Sequence, residues 1–385
     1  MRMLRLMISE DNHQALNTYM KLISVATLKV AAVFVVLHLY SCGSSPVERI
    51  HSGEAQGTTY MIKYNGDESV TQLQVDSVIE SMDVEMNTWR NDARITELNN
   101  FQSEASVFSF DDHSNIWSVI WDLSSEIHSD SDGAFDPTVK PLVDLWGFGL
   151  KHVENVDSTD VDSIMRFVGF VPANIDMERT ATSSALSETH IVKGDVRTQL
   201  DFNAIAQGYT VDMLIHLLME SGIENAMVEL GGEVRCIGLN LKGLPWRIAV
   251  DKPVLNDGTG SRPLQAILEV KNASVCTSGN YRKFKEIDGV RVSHTIDPRT
   301  GYPAYHSLLS VTIQAGSAAV ADAYATACMV LGPKEGRAFI DRMRREKSGA
   351  PIEALFIIDA GANATADAPF EFWATEGWKE AIIWL

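Results

Sequence analysis

AMVELGGEVRCIG, residues 226–238, decides the architecture. Its two alternating runs, Ala226–Leu230 and Glu233–Gly238, flank Gly231-Gly232, a pair that supplies the positive φ angles of a tight hairpin. Residues 206–220, just upstream, carry a helical pattern. Downstream, Trp246–Val250, Gln265–Val270 and Leu308–Gln314 alternate as strands do. Ala318–Leu331 is an Ala-rich helix stopped by Gly332-Pro333, Lys334–Lys347 is a second helix, and Leu355–Ile358 is a late strand. Towards the N-terminus, Ile191–Leu200 reads as a strand delivering Asp201, and Val161–Val168 as a short helix. Asn115–Ile127 and Val70–Trp89 carry helical stripes, the latter through Leu73, Val78, Ile79, Met82 and Met86. Tyr60–Tyr64 is a strand. Helices mixed with antiparallel hairpins define an α+β fold. No repeat and no Pro/Gly linker divides residues 51–385, and the polar residues 256–261 read as a long hairpin loop.

The chain has 385 residues, 45% hydrophobic and 22% charged, the balance of a globular protein. Its net charge of −19 argues against nucleic acid, because phosphate binding needs clustered Lys and Arg. A phosphorylated ligand would need a metal ion between it and so acidic a chain. Residues 1–42 read as an export segment: Lys21 and Lys29 precede the apolar run Val30–Leu37, and LYSC follows at 39–42. That run is shorter than the roughly 20 residues of a membrane span. LYSC resembles a bacterial lipobox in which Cys42 becomes the lipid-modified first residue, with Tyr40 a departure from the pattern. A plain signal anchor is the alternative, and Met20 is a more natural start than Met1. Residues 43–50 form a linker. The expected location is therefore the periplasmic side of the inner membrane, or the outer membrane. Cys236, Cys276 and Cys328 are widely spaced without a CxxC pair, the pattern of buried small apolar residues.

Three segments carry candidate chemistry. HTIDPRTGYP, residues 294–303, holds a proton carrier, a carboxylate and a guanidinium in one turn, since two prolines and a glycine exclude a helix or a central strand. By itself it is equally an ordinary polar turn. DAYAT, residues 322–326, sets Asp322 and Thr326 on one helical face, an oxygen pair suited to a hard cation such as Mg²⁺ or simply a helix with a polar first turn. LDFNAIAQGYTVD, residues 200–212, is a strand-to-helix junction whose small residues and amides suit an anionic ligand, although a structural strand end has the same look.

Together these segments resemble the ApbE family of FAD:protein FMN transferases, usually bacterial lipoproteins. The resemblance spans roughly residues 50–360 and includes GTTY (57–60), MNTWRNDARITELN (86–99), GAFDPTVKPLVDLWGFG (133–149), LDFNAIAQGYTVD, VELGGEVRCIG (228–238), HTIDPRTGYP and ADAYATA (321–327) in family order. It implies a single ApbE-like, T-fold-like domain over residues 51–385. It further implies that Asp322, Thr326 and the Ala204 carbonyl hold Mg²⁺, and that Asp201 and Gln207 contact FAD. Ala134, Phe135 and Asp136 match a flavin-binding triplet. Trp89 stands where relatives place an aromatic, usually Tyr, and Gln56 where many have Met. Gln207 replaces the usual Lys or Glu, and Ile296 falls beside the adenosine. His294 is the expected base for the acceptor hydroxyl. Asp297 either orients that ring or caps its own turn, and Arg299 either reaches a phosphate or forms a salt bridge.

The activity implied is Mg²⁺-dependent transfer of the FMN half of FAD to a Ser or Thr hydroxyl of an acceptor flavoprotein, with release of AMP. Two alternatives stay open: hydrolysis of FAD to FMN and AMP, and a lipid-anchored flavin-binding protein without catalysis.

Overall fold

The computed structural model describes residues 47–66, 68–103, 106–149, 156–181, 187–253, 263–280, 284–287, 290–365 and 369–385. The export segment, Cys42 and the polar residues 256–261 lie outside the described residues. Eight strands carry the domain: β1 (Glu48–Ala55), β2 (Thr58–Asn65), β3 (Asn225–Leu230), β4 (Glu233–Ile237), β5 (Ala273–Gly279), β6 (Leu308–Ala315), β7 (Glu353–Asp359) and β8 (Phe370–Ala374). Their order across the sheet is their order along the chain, and each neighbouring pair is antiparallel. The sheet is thus a meander with helices and smaller sheets inserted between its strands. The β3–β4 hairpin closes as its sequence predicts, with Leu230 opposite Glu233 and Gly231 and Gly232 at φ 66° and 109°.

Both faces of the sheet are covered, which is why β7 reads as a nearly continuous apolar run. Ala354, Phe356 and Ile358 join the core on the helical side, while Leu355 and Ile357 pack on the other side with Trp246, Val250 and Leu268. The second cluster belongs to a three-stranded sheet of Trp246–Asp251, Leu264–Val270 and Ile383–Trp384. The helical side carries α1 (Gln72–Met86), α2 (Ile116–Asp130), α3 (Asn203–Glu220) and α4 (Ala318–Glu346). Thr71 and Gln74 form a capping box that starts α1. Val75, Ile79, Met82 and Met86 are its buried stripe, and Leu73, expected there, is 78% exposed because it points about 200° away from Val75. Gly332, at φ 75°, breaks α4 where Gly332-Pro333 predicts an end.

The N-terminal half of α4 is rich in alanine because it passes close to α3. At the crossing, a Cβ on Gly208 would lie 2.4 Å from the Ala318 carbonyl oxygen. Asp212 of α3 accepts the Ala318 and Ala319 amides, both at 2.9 Å, and pairs with Arg235 of β4 at 2.5 Å. Three expectations upstream need correction. The strand predicted over Ile191–Leu200 spans Ser187–Lys193. Gly194 then meets the Ala173 carbonyl so closely that a Cβ would lie 2.0 Å from it, and Asp195 accepts the Arg197 amide as the chain turns. Asp201 therefore follows an irregular segment, pinned by its amide to the Pro137 carbonyl at 2.8 Å. The helix predicted from 206 begins at Asn203, whose amide the Asp201 carboxylate accepts at 2.8 Å. The short helix predicted at Val161–Val168 is Ser158–Met165, capped by Asp157.

Candidate active site

A cavity of about 840 Å³ opens between the start of α3, the N-terminal half of α4, the β3–β4 turn and the turn at 294–298. Gln56, Trp89, Ala134, Phe135, Asp136, Asp201, Ala204, Gln207, His294, Ile296, Asp322 and Thr326 all border it. Residues drawn from six separate stretches of sequence thus converge on one hollow of ligand size.

Asp322 is buried at its base and accepts the Gly208 amide at 3.2 Å. That amide is the group an uninterrupted helix gives to the Ala204 carbonyl, so Asp322 competes for it. The close helix crossing at Gly208 is what lets one helix reach the other's backbone. Burial pushes the Asp322 carboxyl up to about 7, with the Gly208 amide opposing and Asp212 adding to the rise. Thr326 lies one turn on, its hydroxyl 3.3 Å from that of Ser278. Among the described residues no group of three or more His, Cys, Asp and Glu gathers as a metal site. The oxygens on offer are a carboxylate, hydroxyls and a backbone carbonyl, the donor chemistry of a hard cation that completes its shell from a bound ligand or water.

Sequence reasoning missed Glu233. It opens β4, borders the cavity and is 7% exposed. The Cys276 thiol beside it donates to the Ala318 carbonyl at 3.4 Å, and the Glu233 Oε2 is buried with no hydrogen-bond partner. Burial, and next the charge of Asp322, hold its carboxyl well above the usual range. The signal available was an acidic residue at the first, inward position of a strand. Asp83 of α1, held up by burial, also borders the cavity and was missed.

Asp136 borders the cavity, but its oxygens are engaged in folding the loop. Oδ1 accepts the Thr138 amide at 2.7 Å and Oδ2 the Phe170 amide at 2.9 Å. His128 Nδ1 is 3.0 Å from the Phe135 carbonyl oxygen, so Ala134 and Phe135 are presented by a braced turn. Gln56, at φ 51°, donates to the Thr210 hydroxyl at 2.9 Å, and Gln207 donates to the Gln56 carbonyl at 3.4 Å. The Gln56 carbonyl Oε1 is buried without a partner. Trp89 is 61% exposed at the rim.

Within HTIDPRTGYP the roles separate. Asp297 caps its own turn, accepting the Arg299 amide at 2.9 Å and the Arg299 guanidinium at 2.8 Å. Arg299 also lies 3.8 Å from Glu335, so it is engaged in salt bridges. Ile296 is buried with Leu142 and Val168. His294 is half-buried at the cavity wall, its ring edge-on to Phe148 at 6.4 Å. Cys236, Cys276 and Cys328 are free and buried, and burial raises all three thiols.

Known proteins share this fold. The solved flavin transferase ApbE of Vibrio cholerae superposes with a TM-score of 0.69 at 30% identity, covering 87% of this chain and 99% of that one. The Pseudomonas stutzeri flavinyl transferase ApbE, in its apo form, gives 0.71 at 31% identity, covering 88% and 98%. An FAD:protein FMN transferase of Vibrio cholerae is 34% identical over 348 residues, 89% of this chain and 97% of that protein. One from Haemophilus influenzae is 32% identical over 313 residues, 79% of this chain and 86% of that protein. The model of the ApbE family matches residues 56–350, and this chain belongs to that family.

Proposed function

We propose that this protein is an FAD:protein FMN transferase that moves the FMN half of FAD, with Mg²⁺, onto a Ser or Thr hydroxyl of an acceptor flavoprotein. The observation that carries the reading is the convergence of His294, Asp322, Thr326 and the Ala134–Phe135 loop on one cavity, in a chain whose relatives bear that enzyme's name. Asp322, Thr326 and the Ala204 carbonyl would hold Mg²⁺. The buried, underused carboxylate of Asp322 fits a cation there. Bound there, Mg²⁺ would offset the charge of the pyrophosphate and of the leaving AMP.

The acceptor oxygen attacks the phosphorus on the riboflavin side. A new P–O bond forms, the bond to the AMP phosphate oxygen breaks, and AMP leaves with that electron pair. His294 takes the hydroxyl proton, because an imidazole's ordinary pKa lies near neutrality. Phe148 packs against the His294 ring and limits its orientation. Ala134 and Phe135 present backbone and an apolar ring to the flavin, and Asp136 keeps that loop in shape. Asp201, Gln207 and Gln56 line the remaining polar wall towards FAD, Ile296 the adenosine end, and Trp89 the rim.

Incubating the protein with FAD, Mg²⁺ and a candidate acceptor separates three readings. Covalent FMN on the acceptor supports transfer. Free FMN with AMP and no labelling would replace transfer by hydrolysis, and unchanged FAD would leave a binding protein. We further propose lipid anchoring through Cys42 on the strength of LYSC at 39–42. A Cys42→Ala chain still found with membranes would contradict that.

A further inference from the structure

We infer that Glu233 is a second carboxylate of the cation pocket, so that a divalent cation is held before FAD arrives. The inference rests on the proposed reading for the location of the cation beside Asp322 and Thr326. Glu233 and Asp322 both border the cavity, and Asp212 lies near enough to Asp322 to raise its carboxyl further. Asp212 is fully engaged, by the Ala318 and Ala319 amides and by Arg235, and is a brace between α3, α4 and β4. The other two are not. Asp322 accepts the Gly208 amide, and Glu233 leaves its Oε2 unpartnered.

The Oε2 atom of Glu233 is buried without a partner, although the side chain borders the cavity. A buried carboxylate oxygen left bare costs free energy, and a like charge close by adds to that cost. A divalent cation between Glu233 and Asp322 satisfies the bare oxygen and removes the repulsion in one step. Two carboxylates also balance the cation's charge without help from the ligand's phosphates. Affinity of oxygen sites follows ligand charge count, so this pocket holds its cation in the absence of FAD.

The test titrates Mn²⁺, as the probe for Mg²⁺, into the full FAD-free chain and follows free Mn²⁺ by electron paramagnetic resonance. Wild type, Glu233→Gln and Asp322→Asn are compared, with circular dichroism to check folding. Wild type is expected to bind Mn²⁺, and Glu233→Gln to bind it about tenfold more weakly or worse. Glu233→Gln should also melt higher than wild type when metal-free, since it removes the repulsion and keeps the shape. Should Glu233→Gln not fold, Glu233→Asp withdraws the charge by one methylene and is expected to weaken Mn²⁺ binding too. Wild-type affinity in the folded Glu233 variant overturns the inference, as does a wild type that binds no Mn²⁺ without FAD. If Asp322→Asn alone weakens binding, the inference fails and the flavin-transfer reading stands. If neither substitution matters, the cation assignment of that reading fails as well.

Discussion

Gly208→Ala tests whether the cation pocket depends on the α3–α4 crossing. The added Cβ would lie 2.4 Å from the Ala318 carbonyl oxygen, 2.6 Å from its carbon and 2.8 Å from the Ala319 nitrogen. All three are backbone atoms, so no side chain can swing aside. Restoring an ordinary contact of 3.4 Å moves one helix by about 1 Å. Overpacking of this kind costs about 3 kcal/mol at its upper range, and replacing Gly by Ala within a helix returns about 1 kcal/mol. The net loss is about 2 kcal/mol, a fall in melting temperature of roughly 3 °C for a domain of this size. The same shift takes the Gly208 amide out of reach of Asp322, now at 3.2 Å, and so displaces the Asp322 carboxylate within the pocket. Labelling of an acceptor should therefore fall much further than stability does, and at saturating Mg²⁺ it should recover in part. Differential scanning calorimetry gives the first quantity and an Mg²⁺ titration of labelling rate the second. A variant with wild-type melting temperature and wild-type Mg²⁺ dependence would refute the argument that this glycine sets the pocket.

Other consequences are open to similar checks. His294→Asn should slow labelling by about 10²–10⁴-fold while FAD binding, read by flavin fluorescence, stays unchanged; a rate close to wild type would remove His294 as the base. Asp136→Ala leaves the Thr138 and Phe170 amides without their acceptor, and should cost about 2 kcal/mol in urea unfolding together with FAD affinity; unaltered unfolding would show that the loop does not need this cap. Lys193 is 2% exposed, with its ammonium on the Leu98 carbonyl at 2.7 Å, and burial lowers its pKa from 10.5 to about 8. The unfolded chain keeps that proton between pH 8 and 10.5 while the folded one has released it, so this group makes stability rise with pH across that window. Lys193→Met should be the more stable protein at pH 7 and lack that rise; a less stable variant would mean the buried charge is favourable.

What the sequence revealed depended on how local the determinant was. The Gly231-Gly232 turn, the Gly332-Pro333 break and the Ala-rich half of α4 were legible because each is dictated by backbone freedom or close approach within a few residues. The convergence of His294, Asp201 and Asp322 came from motifs in family order, since nothing in their spacing implies proximity. Glu233 was passed over because strand alternation describes it as the start of β4, and its acidic side chain at an inward position gains meaning only with the burial of its Oε2. Asp136 shows the opposite failure: the motif is right, yet its carboxylate serves the loop's own amides. Asp297 and Arg299 likewise spend their charges on each other. Leu73 misled because an apolar residue inside a periodic stretch need not fall on its buried face.

Asp322 joins the cation, the helix crossing and the transfer step, so the most direct test is the mass of an acceptor protein after incubation with FAD and Mg²⁺, with wild type and with Asp322→Ala. The account expects the wild type to add one FMN to the acceptor for each AMP released, and Asp322→Ala to add none. Labelling by Asp322→Ala at the wild-type rate would contradict it.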